Sequence, residues 1–144
     1  MTEPASGDVG RAELVVQQSD CASDLNVGNA PEGKFPAVFA TTRMIALREM
    51  AGARFLKLFL QEGEVSVGVT VDIIHSAATP IGAKVTVTAT YRGRDGKLFI
   101  FDVAAHDPGG EIGRGTHKRA IISRERSLAG AAKRSMIAGD DGEE

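Results

Sequence analysis

The sequence is short of cysteine, of net charge and of long apolar runs. Cys21 is its one cysteine, so a disulfide within the chain and a metal framework of paired cysteines are both excluded. The formal net charge of −2 lacks the positive excess typical of proteins that bind nucleic acids or membrane surfaces. No stretch approaches the roughly 18 apolar residues of a membrane span, and the first residues lack a secretory signal pattern. We therefore expect a cytoplasmic protein with small-molecule or protein partners, no nucleic acid and no membrane.

What the sequence does contain is enough apolar material for one core. Its 144 residues are 42% apolar, which suits a single globular domain. The first residues are polar and include glycine, and the last are acidic. We expect a flexible N-terminus over 1–11, one domain over 12–135 and a flexible acidic tail over 136–144.

The spacing of apolar residues predicts one long helix and five strands. From Phe39 to Leu60 they recur at steps of three and four, which predicts a helix capped by Thr41 or Thr42. Alternating residues predict strands in AKVTVTATY and LFIFDVAAHD, joined by an Asp-Gly hairpin turn. Three more strands are predicted in AELVVQ, VSVGVTVDIIHS and IGRGTHKRAIIS. An apolar helix followed by a meander of long strands predicts an α+β hotdog fold, one long helix wrapped by an antiparallel β-sheet.

Glu49 places a carboxylate in the middle of this helix. It shares a helical face with Gly52 and Leu56, so we expect it to point toward packed material rather than open water. A carboxylate in such surroundings suits proton transfer. The alternative is a structural ion pair with Arg48, with Arg54 or with an arginine across an interface.

Histidines are the second kind of candidate. His75 lies near the end of a predicted strand and before a Pro-Ile-Gly turn, where functional side chains tend to project. A lone histidine is more often structural than catalytic, and His106 and His117 are candidates that position alone leaves open. No His-Glu-x-x-His or comparable spacing occurs, so no metal site is predicted.

The threonine pair that opens the helix offers a hydroxyl. One of Thr41 and Thr42 is expected to cap the helix, which leaves the other free to act. Thr41 precedes Glu49 by eight residues, about 12 Å along a helix, so the two cannot share one substrate atom directly. In a two-fold dimer the helix start of one subunit can approach the middle of the other helix. We therefore expect Thr41, Glu49 and His75 to converge at a homodimer interface, with a dimer of dimers as the alternative assembly.

Three segments resemble the fluoroacetyl-CoA thioesterase family of hotdog enzymes: FPAVFATTRMIALREMAGARF, VGVTVDIIHSAATPIGAKVTVTA and AAHDPGGEIGRGTHKRAII. They have the order and spacing of the family over about residues 13–124. The resemblance implies hydrolysis of a short acyl-CoA, halogenated acyl groups included, without a cofactor because coenzyme A is part of the substrate. The residues that it implies are catalytic Thr41, Glu49 and His75, and substrate-binding Gly68, Phe35, Phe39 and Arg119.

The chain also departs from that family. Glu32 stands where the fluoroacetyl-CoA enzyme carries a lid phenylalanine, so the resemblance implies the thioesterase chemistry but not the fluoroacetyl specificity. Late basic residues are expected near the phosphates of coenzyme A, with a solvated strand face as the alternative. These residues are Arg114, Lys118, Arg119, Arg124 and Arg126.

Alternatives stay open at this point. Glu49 can act as a general base on water or as a nucleophile. A hotdog enoyl-CoA hydratase is the nearest rival, although Asp72 and His75 do not reproduce its paired Asp and His. A non-catalytic protein that binds an acyl-CoA or a small molecule is the other rival, and it has no need of a buried acid beside a histidine.

Overall fold

The computed structural model describes residues 3–25 and 35–142, with side chains described as far as 136. In chain order it contains the elements β1 Val9–Val15, α1 Thr41–Lys57, β2 Glu64–His75, β3 Lys84–Asp95, β4 Leu98–Asp107, β5 Gly110–Ser123 and α2 Arg124–Gly142. Two short 3-10 turns, Gln18–Asp20 and Ala22–Asp24, follow β1. The long helix and all five predicted strands are therefore confirmed.

The five strands form one antiparallel sheet in the order β1-β3-β4-β5-β2. The two predicted hairpins join β3 to β4 and β4 to β5, because each pair is separated by a short glycine-containing turn. Strand β2 follows α1 in the chain and lies at the opposite edge of the sheet from β1. Its outer side has no neighbour within the described part of the chain, so one row of backbone N–H and C=O groups stays unpaired there.

The core lies between α1 and the sheet. Strands β3 and β4 alternate buried and more exposed residues, and their buried rows include Val87, Tyr91 and Phe101. Helix α1 covers these rows with an apolar face that includes Met44 and Phe55. Burial of each large apolar side chain contributes about 1.5–3 kcal/mol, so this face sets the rotation of the helix.

Two details differ from the sequence predictions. Strand β1 begins at Val9, within the segment 1–11 that was predicted to be flexible, because residues 9–15 all pair with β3. Helix α2, Arg124–Gly142, was not predicted, and it covers much of the predicted tail. Its sequence is rich in small and charged residues, so it carries little of the apolar periodicity that marked α1.

The domain limits at 12 and 135 stay predictions. No helix of the described residues is long and apolar enough to cross a membrane.

Gly10 is the point of closest approach between β1 and α1. A Cβ at this position would collide with the Ala51 carbonyl oxygen and lie 2.7 Å from Phe55 Cβ. We expect Gly10→Ala to lower the free energy of unfolding by about 1–3 kcal/mol in urea titrations, because neither the helix backbone nor its packed ring can yield cheaply. Gly130→Ala is the matched control, since a Cβ there meets nothing within 4 Å, and it should leave stability unchanged or raise it by up to about 1 kcal/mol. Equal stability of the two variants would contradict this account of the packing.

Candidate active site

Thr41 and His75 meet at the start of α1 and the end of β2. Thr41 Oγ1 and His75 Nδ1 share a hydrogen bond of 2.8 Å, although the residues are 34 positions apart in sequence. The ring of Phe39 lies edge-on to the imidazole at a centroid distance of 6.4 Å. A cavity of 330 Å³ opens beside them and is lined by Phe39, Thr41 and His75 among others.

The prediction that Thr41 or Thr42 caps the helix is wrong. Ala40 occupies the N-cap position in an extended conformation, and no side chain makes a cap hydrogen bond. Thr41 is already the first helical residue, one position after the N-cap, and its hydroxyl makes no cap hydrogen bond. That hydroxyl is consequently available to His75.

Backbone and side-chain bonds hold the helix start in place. The Ala40 N–H donates to the Asp20 carbonyl at 2.9 Å, and the Phe39 N–H donates to the Thr79 carbonyl at 2.9 Å. The Asp20 carboxylate, in turn, accepts two hydrogen bonds from Arg43, at 2.8 and 3.0 Å. Sequence reasoning missed Asp20, Arg43 and Thr79, and no local motif identifies them, because their partners lie in distant segments.

Burial lowers the pKa of His75. Desolvation of the charged imidazole is the main cause, the nearby Ala77 backbone opposes this lowering of the pKa, and the positive charge of Arg48 adds to it. The neutral imidazole is therefore favoured, and it can accept or donate one proton. The second ring nitrogen, Nε2, is buried and has no hydrogen-bond partner among residues 3–25 and 35–142.

Glu49 lies two turns further along α1, over the edge strand β2. In a single chain 43% of its side chain is exposed, so the expectation that it points toward packed material is only half right. The reason is the edge position of β2, beyond which no further strand of the described residues covers the carboxylate. The arginine that accompanies it is neither Arg48 nor Arg54 but Arg119, whose Nη1 lies 3.8 Å from Glu49 Oε1.

Gly68 of β2 leaves the space that Glu49 occupies. A Cβ at position 68 would collide with Glu49 Oε1 and lie 3.1 Å from His117 Cε1. The register between β2 and β5 shifts between Gly68 and Thr70, which marks a bulge at this point. Glu49 and Gly68, which were predicted separately as catalytic and substrate-binding residues, are thus in direct contact.

His117 and Arg119 of β5 lie next to the Glu49 carboxylate and Gly68. His117 Nδ1 donates to the Thr70 carbonyl at 2.9 Å, so Nε2 is left to accept from Arg119 Nη1 at 3.1 Å. Burial lowers the pKa of His117, although its bond to Thr70 opposes that shift. The Arg119 guanidinium also donates to the hydroxyl and the carbonyl oxygen of Ser66, at 3.1 and 2.9 Å.

Arg119 does not have the surroundings expected of a residue that binds a phosphate. Its side chain is 6% exposed, and its nitrogens are committed to Ser66, His117 and Glu49. Arg114 of the same predicted basic cluster forms a two-bond pair with Glu111. In the structure Arg119 is the cation that lies beside the Glu49 carboxylate.

The predicted residues therefore form two separate groups, called half-sites here, that lie beside different parts of the edge strand β2. Thr41, His75 and Phe39 lie at the end of β2, whereas Glu49, Gly68 and Arg119 lie near its start. Gly68 and His75 are seven residues apart, roughly 23 Å along a strand. They do not converge within one chain.

The other candidates lie outside both half-sites. Phe35 is half exposed and does not line the cavity beside Thr41. His106 is exposed on β4, and the Glu32 position falls outside the described residues. Within the described part of the chain no group of three His, Cys, Asp or Glu residues could hold a metal ion.

Comparison with known proteins gives a consistent family. The family model for the fluoroacetyl-CoA-specific thioesterase matches residues 16–125. A fluoroacetyl-CoA thioesterase from Streptantibioticus cattleyicolor is 46% identical over 98 residues, which are 67% of this chain and 70% of that protein.

Solved structures agree with this likeness. A crystal structure of the fluoroacetyl-CoA thioesterase FlK matches with a TM-score of 0.86 and 38% identity, over 92% of this chain and 98% of that one. A thioesterase superfamily member from Thermus thermophilus matches with a TM-score of 0.85 and 26% identity, over 97% of this chain and 99% of that one. The chain therefore belongs to the fluoroacetyl-CoA-specific thioesterase family, and it is a thioester hydrolase with the hotdog fold.

Proposed function

We propose that the chain hydrolyses short acyl-CoA thioesters at a site shared between two copies, with Thr41 and His75 from one and Glu49 and Gly68 from the other. The observation that carries the shared site is the separation of the two half-sites along β2. Fluoroacetyl-CoA is the first substrate to test, because the relative from Streptantibioticus cattleyicolor is named for it. No cofactor beyond the coenzyme A of the substrate takes part, and the single buried cysteine suits a reducing cytoplasm.

The edge strand β2 supplies the surface for the second copy. Val69, Val71 and Ile74 are exposed along it, which is unusual for an edge strand that stays alone. A two-fold axis between Val71 and Asp72 would pair two β2 strands in antiparallel fashion, with Gly68 of one copy opposite His75 of the other. Because the bulge after Gly68 shifts the alternation by one residue, both face α1 despite their odd separation.

The chemistry at such a site follows from these groups. Glu49 either removes a proton from water, which then attacks the thioester carbon, or attacks that carbon itself to form an anhydride that water hydrolyses. In both routes a C–O bond forms, the C–S bond breaks, and the thiolate of coenzyme A leaves. Thr41 and His75 position the acyl group and share a proton through their 2.8 Å hydrogen bond. Arg119 holds the Glu49 carboxylate in place.

The first test is the loss of Glu49. We expect Glu49→Gln to lower kcat by at least about 100-fold, because the amide can neither accept the proton nor attack. The measurement is thiol release from acetyl-, fluoroacetyl-, propionyl- and phenylacetyl-CoA, followed with a disulfide chromogen. Glu62→Gln, at an exposed position, is the control and should retain full activity. Full activity of Glu49→Gln with every substrate would refute the assignment.

A second test asks which chain supplies which residue. Glu49→Gln and His75→Ala are each expected to be inactive, but a mixture refolded or coexpressed at equal amounts should recover about a quarter of wild-type activity. Half of the dimers are then mixed, and each mixed dimer has one of its two sites intact. If each site drew Glu49 and His75 from the same chain, no activity would return on mixing.

Gly68 provides a third test. The methyl group of Gly68→Ala would displace the Glu49 carboxylate, and a displacement of about 1 Å costs on the order of 100-fold in rate. We expect kcat to fall by about that factor while the melting temperature changes little, since the displaced group is half exposed. Gly130→Ala adds the same methyl group in open space and should keep its activity. A fully active Gly68→Ala enzyme would separate the carboxylate from the reaction.

A further inference from the structure

Arg48 is a buried cation without a partner. The residue is 1% exposed, and none of its Nε, Nη1 and Nη2 atoms makes a hydrogen bond within the described residues. Arg43 and Arg119, by contrast, each make at least two hydrogen bonds to other groups. A buried guanidinium is expected to be paired, because its desolvation is costly otherwise.

The nearest negative charge does not supply that pair. Glu111 raises the pKa of Arg48, while desolvation, the larger effect, lowers it. Both Glu111 carboxylate oxygens already accept hydrogen bonds from Arg114, at 2.8 and 3.0 Å. Arg48 thus carries an uncompensated charge in a place where an apolar residue of similar length would stabilise the fold.

The position of Arg48 brings it to the Thr41 and His75 half-site. It follows Thr41 by seven residues, so both lie on the same face of α1, and helical side chains lean toward the N-terminus. The guanidinium reaches β5 at Gly113, where an added Cβ would lie 2.9 Å from Nη2 and 3.2 Å from Met44 Sδ. Gly113 is the residue paired with His75 across the two strands. The added Cβ would collide first with the Ile74 carbonyl oxygen, so the missing side chain at Gly113 leaves room for the neighbouring strand as well as for the guanidinium.

His75, like Arg48, has a buried nitrogen without a hydrogen-bond partner among the described residues. Its Nδ1 is engaged with Thr41, whereas its Nε2 is buried without a partner in the described part of the chain. The charge of Arg48 is one of the causes that lower the pKa of this imidazole, as expected for groups that lie close together. The Arg48 guanidinium and His75 Nε2 are thus neighbouring groups that both lack a hydrogen-bond partner among the described residues.

We propose that Arg48 determines specificity in the acyl pocket, where its guanidinium together with His75 Nε2 binds a carboxylate carried by the acyl group. The planar guanidinium matches a carboxylate with two parallel hydrogen bonds, and a buried pair of this kind is strong. This inference rests on the proposed thioesterase function, and it adds a substrate class, the monothioesters of short dicarboxylic acids. The acyl group would occupy the cavity beside Thr41 and His75. Arg48 does not line that cavity, so binding of the carboxylate requires the long Arg48 side chain to turn toward it.

The test compares malonyl-CoA with propionyl-CoA, which carries a methyl group in place of the carboxylate. We expect Arg48→Met to lower kcat/KM for malonyl-CoA by about 10- to 100-fold, the range for a lost charged hydrogen bond. The value for propionyl-CoA should stay within a few-fold, and Arg48→Lys should retain part of the malonyl preference. Arg54→Met is the matched control, since Arg54 is on the same helix but its one hydrogen bond among residues 3–25 and 35–142 is to the Arg11 carbonyl, at 3.4 Å. It should change neither value.

A binding measurement separates this inference from the proposed function. Malonate should raise the melting temperature of the wild-type and Arg54→Met proteins but not that of Arg48→Met. Without ligand, Arg48→Met should melt above the wild type, because an unpaired buried charge is removed. If the wild type turns over no acyl-CoA, the thioesterase function fails, and the malonate effect still decides the subsite.

Turnover and inhibition together also show whether the bound carboxylate belongs to the acyl-CoA or to the acid released by hydrolysis. An unchanged ratio of malonyl-CoA to propionyl-CoA turnover, together with an approximately tenfold weaker inhibition of Arg48→Met by free malonate and propionate, would assign the subsite to the released acid. Identical turnover ratios, inhibition and malonate stabilisation in Arg48→Met and Arg54→Met would overturn the inference.

Discussion

The packing of α1 against the sheet is the interaction on which the rest of the structure depends. The helix is fixed in rotation by an apolar face that includes Met44, Ala51 and Phe55. Adjacent helical residues differ by about 100° in direction, so a helix turned by one residue would move every side chain off its partner. Thr41 meets His75, and Glu49 meets Gly68, only because that rotation is fixed. The core therefore determines the site geometry, although none of the proposed catalytic residues contributes apolar area to it.

The short distance between α1 and the sheet imposes a second constraint. At some points of contact the strands carry glycine, which has no side chain to collide with the helix. At Gly68 the free space is taken by the Glu49 carboxylate, and at Gly113 it is taken by the Arg48 guanidinium. A Cβ at position 68 would displace the Glu49 carboxylate, whereas a Cβ at position 113 would collide with the Ile74 carbonyl oxygen and also crowd Arg48 Nη2 at 2.9 Å. Gly68 in β2 and Gly113 in β5 thus leave room for the charged side chains of α1. These glycines are part of the site as much as the side chains are.

Periodicity in the sequence was sufficient to predict α1, the five strands and their hairpins, but not α2. Alternation in β3 and β4 is strong because one face is buried, and the i, i+3, i+4 spacing of α1 is strong for the same reason. The choice of Thr41, Glu49 and His75 came mainly from a family resemblance, and the structure brings two of the three into contact.

What the sequence could not predict depended on distant partners. Whether Thr41 caps the helix was decided by Ala40, which the segment around Asp20 holds in the N-cap position. Arg119 resembled a surface cation because its neighbours in sequence are charged, yet it is buried by Ser66 and His117 from two strands. Arg48 resembled a partner for Glu49, but adjacent residues on a helix point in different directions, so it reaches β5 instead.

The edge position of Glu49 links assembly to chemistry in the proposed site. A carboxylate that is 43% exposed interacts with its surroundings through solvent, where electrostatic contributions to catalysis are weak. Pairing of two β2 strands would satisfy the free backbone groups of this edge and reduce the exposure of Val69, Val71 and Ile74, and it would also cover Glu49. The same step that removes apolar surface from water would therefore exclude water from the carboxylate and bring the second His75 to it. On this view a single chain holds all the residues but lacks the enclosed environment, which only the second copy provides.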